Sequence, residues 1–138
     1  MKASEIVNKM MAEDAFSQWL GIEVLEKSAG SSRLKMLVRK EMVNGFGVAH
    51  GGITYSIADS ALAFASNSHG IKSMSIETSI SHSKPVKVGD TLIAHATEKS
   101  RGNKIAIYDI PVENQNGEIV ALFKGTVYRS GKNWEEEN

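Results

Sequence analysis

Asn44, His50, Gly51, Gly52 and Asp59 lie close together in a stretch otherwise made of small and apolar residues, and their types could do hydrolytic chemistry. Gly51-Gly52 offers bare backbone N–H groups at the start of a helix, a setting suited to negative charge. Asp59 is the one carboxylate between Ile53 and Ser68. An acid in such company needs a reason, because Asp is almost never fully buried without a partner. An oxyanion-binding N–H and a catalytic acid are the roles these features suggest.

The two halves cannot meet within one helix. His50 and Asp59 are nine residues apart, which on an α-helix is about 13–14 Å along the axis and about 180° around it. A second copy's helix, packed alongside and running the opposite way, would bring its own Asp59 to that N-terminus. If the turn and Asp59 serve one site, the site is built from two subunits.

The surrounding elements follow from hydrophobic period. Residues 4–18 carry Ile6, Val7, Met10, Met11 and Phe16 at helical spacing, which predicts an N-terminal amphipathic helix. Residues 21–28 and 32–39 read as strands around Gly30-Ser31. Residues 51–68 are apolar nearly all round, the pattern of a helix buried on most sides, with Gly70 as its stop. In 73–82, Met74, Ile76, Thr78 and Ile80 alternate with Ser73, Ser75, Glu77, Ser79 and Ser81. Further strands are expected at 90–99, 103–113 and about 118–130, the last after an Asn116-Gly117 hairpin turn. The class is α+β: an antiparallel sheet of about six strands around one long central helix. Residues 1–138 form a single domain in this reading, with a flexible acidic tail from about 131.

Composition narrows the partners. Sixteen basic residues balance sixteen acidic ones, so bulk charge gives no reason to expect nucleic acid or an anionic membrane. There is no cysteine, which removes disulfides, thiolate catalysis and Cys-based zinc sites. No apolar run is long enough to span a bilayer and no secretory leader is recognisable, so a cytoplasmic location is expected. His50, His69, His82 and His95 share no metal-ligand spacing, and no metal is expected. His95, in mid-strand, is expected to be packed or half-exposed. Gly45-Phe46-Gly47 starts like a dinucleotide fingerprint but ends on His50, and neither a Walker A sequence nor a G-x-S-x-G elbow occurs.

Asn44-x5-His50-Gly51-Gly52-x6-Asp59, continued by Ala61-x-Ala63-x-Ala65-x-Asn67-Ser68-x-Gly70, resembles the PaaI-type acyl-CoA thioesterases of the hotdog-fold superfamily. Pro85-x3-Gly89-Asp90 looks like a turn between strands of that family. The resemblance covers about residues 14–130. It implies hydrolysis of a coenzyme A thioester, with CoA as part of the substrate and no separate cofactor. The N–H of Gly51 would bind the oxyanion, and Asp59 of the neighbouring subunit would act as nucleophile or general base. Asn44 would position water or substrate, and His50 would orient the turn and contact the thioester region. Ser75 matches a polar position that holds the attacking water, although a row of serines also suits a solvent-facing strand. For the CoA phosphates, Lys84, Arg101, Lys104 and His82 are the candidates, set against the commoner reading of solvated surface groups. Tyr55, Ala58, Leu62, Phe46, Met10, Met11 and Phe16 are candidate walls for an aryl-acetyl or medium-chain acyl group. The resemblance also implies a homo-oligomer, a dimer at least and a tetramer by family likeness.

Three alternatives stand beside this reading. A hotdog dehydratase of hydroxyacyl chains would carry a Pro-rich turn where Gly51-Gly52 stands. A non-catalytic acyl-CoA sensor would keep the pocket and lose the chemistry, yet Asn44, His50, Gly51 and Asp59 are all present. In a purely structural dimer, Asp59 would only pair with a cation.

Overall fold

The computed structural model describes residues 1–135. The chain runs α1 (Ala3–Glu13), α2 (Ala15–Leu20), β1 (Glu23–Ser28), β2 (Ser31–Leu37), a short 3-10 turn (Lys40–Met42), α3 (Gly51–Asn67), β3 (Ile71–His82), β4 (Thr91–Arg101), β5 (Ile105–Glu113) and β6 (Ile119–Asn133). The six strands form one antiparallel sheet in the order β1-β2-β4-β5-β6-β3. The sheet wraps α3, which is the hotdog arrangement.

The core lies between α3 and the concave face of the sheet. Ile57, Ala58, Ala61, Phe64 and Ala65 from the helix meet Leu34 and Met36 of β2, Leu92 and Ala94 of β4, Tyr108 and Ile110 of β5, and Phe123 and Val127 of β6, all buried. Gly125 on β6 allows the closest approach. A Cβ there would run into the methyl carbons of Leu62.

Three features differ from the reading of the sequence, each for a local reason. The single N-terminal helix is two, broken at Asp14, whose backbone leaves the helical region (φ −88°, ψ 82°) and whose side chain caps α2. β3 contains a bulge between Ser75 and Glu77. One extra residue exchanges the two faces of a strand. Beyond the bulge Thr78 bonds Tyr55 of α3 and Ile80 packs on the core, whereas Met74 before it and Ile76, the bulged residue, are exposed (62% and 58%). β6 runs on to Asn133, and Trp134 is anchored by its backbone N–H to Gly70 O (2.9 Å) and its indole N–H to Asn67 Oδ1 (3.0 Å). Of the expected tail, residues 136–138 lie outside the described ones. His95, expected to be packed or half-exposed, is instead exposed, opposite Arg33 on β2, because it sits on the face of β4 turned away from α3.

β3 is an edge strand of 12 residues. A long open edge bearing exposed Met74 and Ile76 offers a template for pairing. Among the described residues no helix is long and apolar enough to cross a membrane.

Candidate active site

His50 starts α3 and shapes its first turn. Its backbone is extended (φ −60°, ψ 137°), and its Nδ1 accepts the Gly52 N–H at 2.8 Å. In the neutral ring the proton then sits on Nε2. Gly51, the first helical residue, finds no hydrogen-bond acceptor for its N–H among the described residues. That free donor is at the positive end of the α3 dipole.

The preceding loop is held by Asn44. Its Oδ1 accepts the N–H of Phe46 (2.9 Å) and of Val48 (3.4 Å), while Asn44 N–H donates to Val48 O (2.8 Å). The side-chain oxygen of Asn44 is therefore engaged in loop geometry, leaving its amide N–H groups as the part able to meet a ligand. Phe46 at the loop tip is 92% exposed.

Beside Gly51 runs an open groove of about 290 Å³, lined by Val48, Gly51, Thr54, His82, Lys84 and Pro85 among others. The His82 ring lies 3.3 Å from where a Gly51 Cβ would stand. Lys84 lines the groove and pairs with Glu118. Thr54, buried at 2% exposure, is a groove residue that reading the sequence missed. Its helical position faces the sheet, and nothing in the local pattern marks it as different from a packed threonine.

Asp59 belongs to a different face of α3, a stripe formed by Gly52, Ser56, Asp59 and Ala63, none of them buried. At about 100° per residue these four fall within roughly 60° of helix surface. Among the described residues Asp59 has no salt-bridge partner. Burial first, and the negative charge of Asp14 second, hold its carboxyl above the usual carboxylate range. A cavity of about 80 Å³ beside it is lined by Leu62, Ala63, Ser66, Ser73, Met74, Ser75 and Val127. That volume is ample for a water molecule. Ser75, one face away from its neighbours beyond the bulge, thus shares a pocket with Asp59. Ser73 joins it there.

Gly51 and Asp59 are separated by about 12 Å along the helix axis, so one chain does not bring them together. The four expected phosphate-binding residues divide in the same way. His82 and Lys84 lie with Gly51. Arg101 instead lies against His69, just past the C-terminal end of α3, near Glu98, and Lys104 belongs to the same β4–β5 turn. Arg129, bonded to Gly102 O at 2.9 Å, is a further cation at that end. The α3 helix puts roughly 25 Å between the two groups. Of the expected acyl walls, Leu62 lines the Asp59 pocket, Phe16 lies beside His50 and Ser56, and Ala58 is sealed in the core. Tyr55 packs edge-on to Phe123.

A helix N-terminus with a free N–H and a partnerless carboxylate on the same central helix, inside a hotdog sheet, define a thioesterase-type scaffold. The profile of the thioesterase superfamily matches residues 46–121. The chain is 36% identical to the acyl-coenzyme A thioesterase PaaI of Escherichia coli, over 94% of this chain and 93% of that one. The solved structure of that E. coli protein, from the phenylacetic acid degradation operon, superposes with a TM-score of 0.93, covering 95% of each chain. A mutant of the phenylacetic acid degradation protein PaaI from Thermus thermophilus is 35% identical, with a TM-score of 0.81 over 84% of this chain and 99% of that one. The smu.793 protein of Streptococcus mutans UA159, solved bound to acetyl CoA, is 27% identical, with a TM-score of 0.78 over 81% of this chain and 90% of that one. The chain belongs to the thioesterase superfamily, in its PaaI-type hotdog branch, and is a thioester hydrolase.

Proposed function

We propose that this protein hydrolyses acyl-CoA thioesters, with aryl-acetyl or medium-chain acyl groups as substrates, at a site shared between two subunits. The observation that carries the reading is Asp59: half-buried, without a cation, on an unburied stripe of a helix whose own N-terminal donor is out of its reach. Similarity to a protein named as an acyl-CoA thioesterase and to one solved with acetyl CoA supports the CoA moiety. The open β3 edge and the Gly52-Ser56-Asp59-Ala63 stripe supply the surfaces for a two-fold partner. A dimer completes the site, and a dimer of dimers follows from family likeness.

In this mechanism the thioester carbonyl oxygen lies against Gly51 N–H of one chain. Asp59 of the other chain removes a proton from water held by Ser75, and the water oxygen attacks the carbonyl carbon. The resulting oxyanion is stabilised by the Gly51 N–H; one such donor is worth about 3–4 kcal/mol in the transition state. Collapse breaks the C–S bond, and the CoA thiolate leaves to take up a proton. A cavity beside Asp59 that admits water favours this general-base route over a covalent mixed anhydride. His82 and Lys84 flank the exit of the CoA chain, Asn44 and His50 hold the turn, and no cofactor or metal takes part.

The test is free-thiol release from a panel of aryl-acetyl- and medium-chain acyl-CoAs, by wild type and Asp59→Ala. Turnover by wild type, with loss in the variant, is expected. Full activity in Asp59→Ala would overturn the assigned role, and CoA binding without turnover of any acyl-CoA would favour the sensor.

A further inference from the structure

Ser60 follows Asp59 on α3 but points into the protein, and its hydroxyl begins a chain of hydrogen bonds that leaves the helix. Ser60 Oγ lies 2.8 Å from Oγ of Ser17 on α2. Ser17 Oγ donates to Asp14 Oδ2 at 2.7 Å, and Ser17 N–H donates to Asp14 Oδ1 at 2.9 Å. Ser17 has one hydroxyl proton and spends it on Asp14, so Ser60 must be the donor in the Ser60–Ser17 pair. The direction is therefore fixed: Ser60 to Ser17 to the carboxylate of Asp14. Ser17 and Ser60 are buried (1% and 9% exposed), so water does not substitute for either contact.

This chain ends on Asp14, whose negative charge acts on Asp59. From β3 and β6 its neighbours are Ser73, Met74, Ser75 and Val127, and from the next turn of α3 they are Leu62, Ala63 and Ser66. None of these is titratable. From the α1–α2 junction comes Asp14, a like charge.

We infer that Asp14 is a positioning residue for Asp59, fixing the helical turn that carries it and setting the field in which it works. The inference rests on the reading that Asp59 is the working acid. A capping carboxylate usually needs only the first turn of its own helix. Here it also reaches a second helix through two buried hydroxyls, one residue from the acid. Bringing two carboxylates together makes the more buried one harder to ionise and hence a better base near neutral pH. Burial raises the Asp59 carboxyl most, and Asp14 adds to it. The break between α1 and α2 thus has a role beyond the turn itself.

The variant that separates the two effects is Asp14→Asn, which keeps an acceptor for the Ser17 N–H while removing the charge. Its amide nitrogen donates to Ser17 Oγ, so the hydroxyl chain persists with Ser17 donating to Ser60. The acid limb of its kcat/KM profile is expected to move to lower pH, with plateau kcat reduced, KM unchanged and thermal midpoint near that of wild type. Asp14→Glu, which keeps the charge, should leave the limb at the wild-type position. Ser60→Ala should lower kcat without moving the limb. A carbon-13 titration of the Asp59 carboxyl in wild type and Asp14→Asn reads the same displacement without turnover. If Asp14→Asn fails to fold, Asp14→Ser, another neutral cap, replaces it in both measurements. Coincident limbs and coincident Asp59 titrations overturn the inference. Asp59→Asn run alongside separates the two levels: activity in that variant sinks the reading of Asp59 itself, whereas an inactive Asp59→Asn with an unmoved Asp14→Asn limb sinks only the role of Asp14.

Discussion

Substituting alanine at Gly125 tests how closely the central helix is set against the sheet. The new Cβ would lie 2.9 Å from one methyl carbon of Leu62 and 3.2 Å from its Cγ, with the second methyl carbon nearer still. Leu62 is 1% exposed and cannot swing away into solvent. Overpacking of this kind costs about 1–3 kcal/mol. Alanine recovers about 0.5–1 kcal/mol by restricting the unfolded chain. The net loss is therefore about 0–2.5 kcal/mol. Leu62→Ala alone removes a buried side chain and should cost about 2–5 kcal/mol. In the double variant the alanine Cβ enters the space that Leu62 vacated, so the combined loss should fall short of the sum by about 1–3 kcal/mol. Urea unfolding at one fixed protein concentration measures all four corners of this cycle, through midpoints at constant m value. Because Leu62 also walls the Asp59 cavity, turnover should fall in Gly125→Ala. Losses that add to within about 0.5 kcal/mol would show that Gly125 and Leu62 do not compete for space, and the packing argument would be wrong.

Other consequences are as direct. Asp59→Asn should lose about 10²- to 10⁴-fold in turnover, the typical share of a general base, while gaining thermal stability at neutral pH. The sign follows from linkage: a carboxyl whose folded pKa lies above its unfolded value holds more protons when folded, so stability falls as pH rises through that window. The stability gain of the variant should therefore be present at pH 7 and vanish below the ordinary carboxylate range, as thermal melts across pH would record. Trp134→Phe removes the indole N–H bonded to Asn67 but keeps a ring beside Lys72; a loss of about 1 kcal/mol with unchanged kcat is expected from melts and thiol release. Gly51→Pro deletes the N–H and adds a ring whose Cβ would stand 3.3 Å from the His82 imidazole, so the imidazole must give by a few tenths of an ångström. The preceding residue, His50, is already extended (ψ 137°), the conformation a following proline demands, and proline is at home in the first position of a helix. Turnover should drop about 10²- to 10³-fold with a near-native melt.

Period and punctuation made the elements legible: the all-round apolar run from Ile53, the Gly70 stop and the Asn116-Gly117 turn each announced what the chain does there. The motif from Asn44 to Asp59 was legible for the same reason, since an isolated acid and a double glycine stand out against alanines. What stayed hidden depended on one residue too many or on distance in space. The bulge at Ser75 leaves no mark in an alternating string, yet it turns Met74 and Ile76 outward and Thr78 and Ile80 inward. Asp14 looks like one more polar residue on an amphipathic helix, because its partners Ser17 and Ser60 are 43 residues apart. The cations looked alike in sequence, and only the length of α3 separates Lys84 from Arg101.

The shared site is tested most directly by mixing Gly51→Pro with Asp59→Asn. Each variant alone carries a defect in every site. If each site takes Gly51 from one chain and Asp59 from its neighbour, a mixed dimer has one intact site and one doubly damaged site. Random exchange at equal amounts makes about half the dimers mixed, so about a quarter of wild-type activity should return. The recovery is read as thiol release after subunit exchange, with mixed oligomers verified by mass. Activity near that quarter is the predicted result. Activity no higher than the two variants separately, with mixed oligomers present, would contradict a site built from two chains.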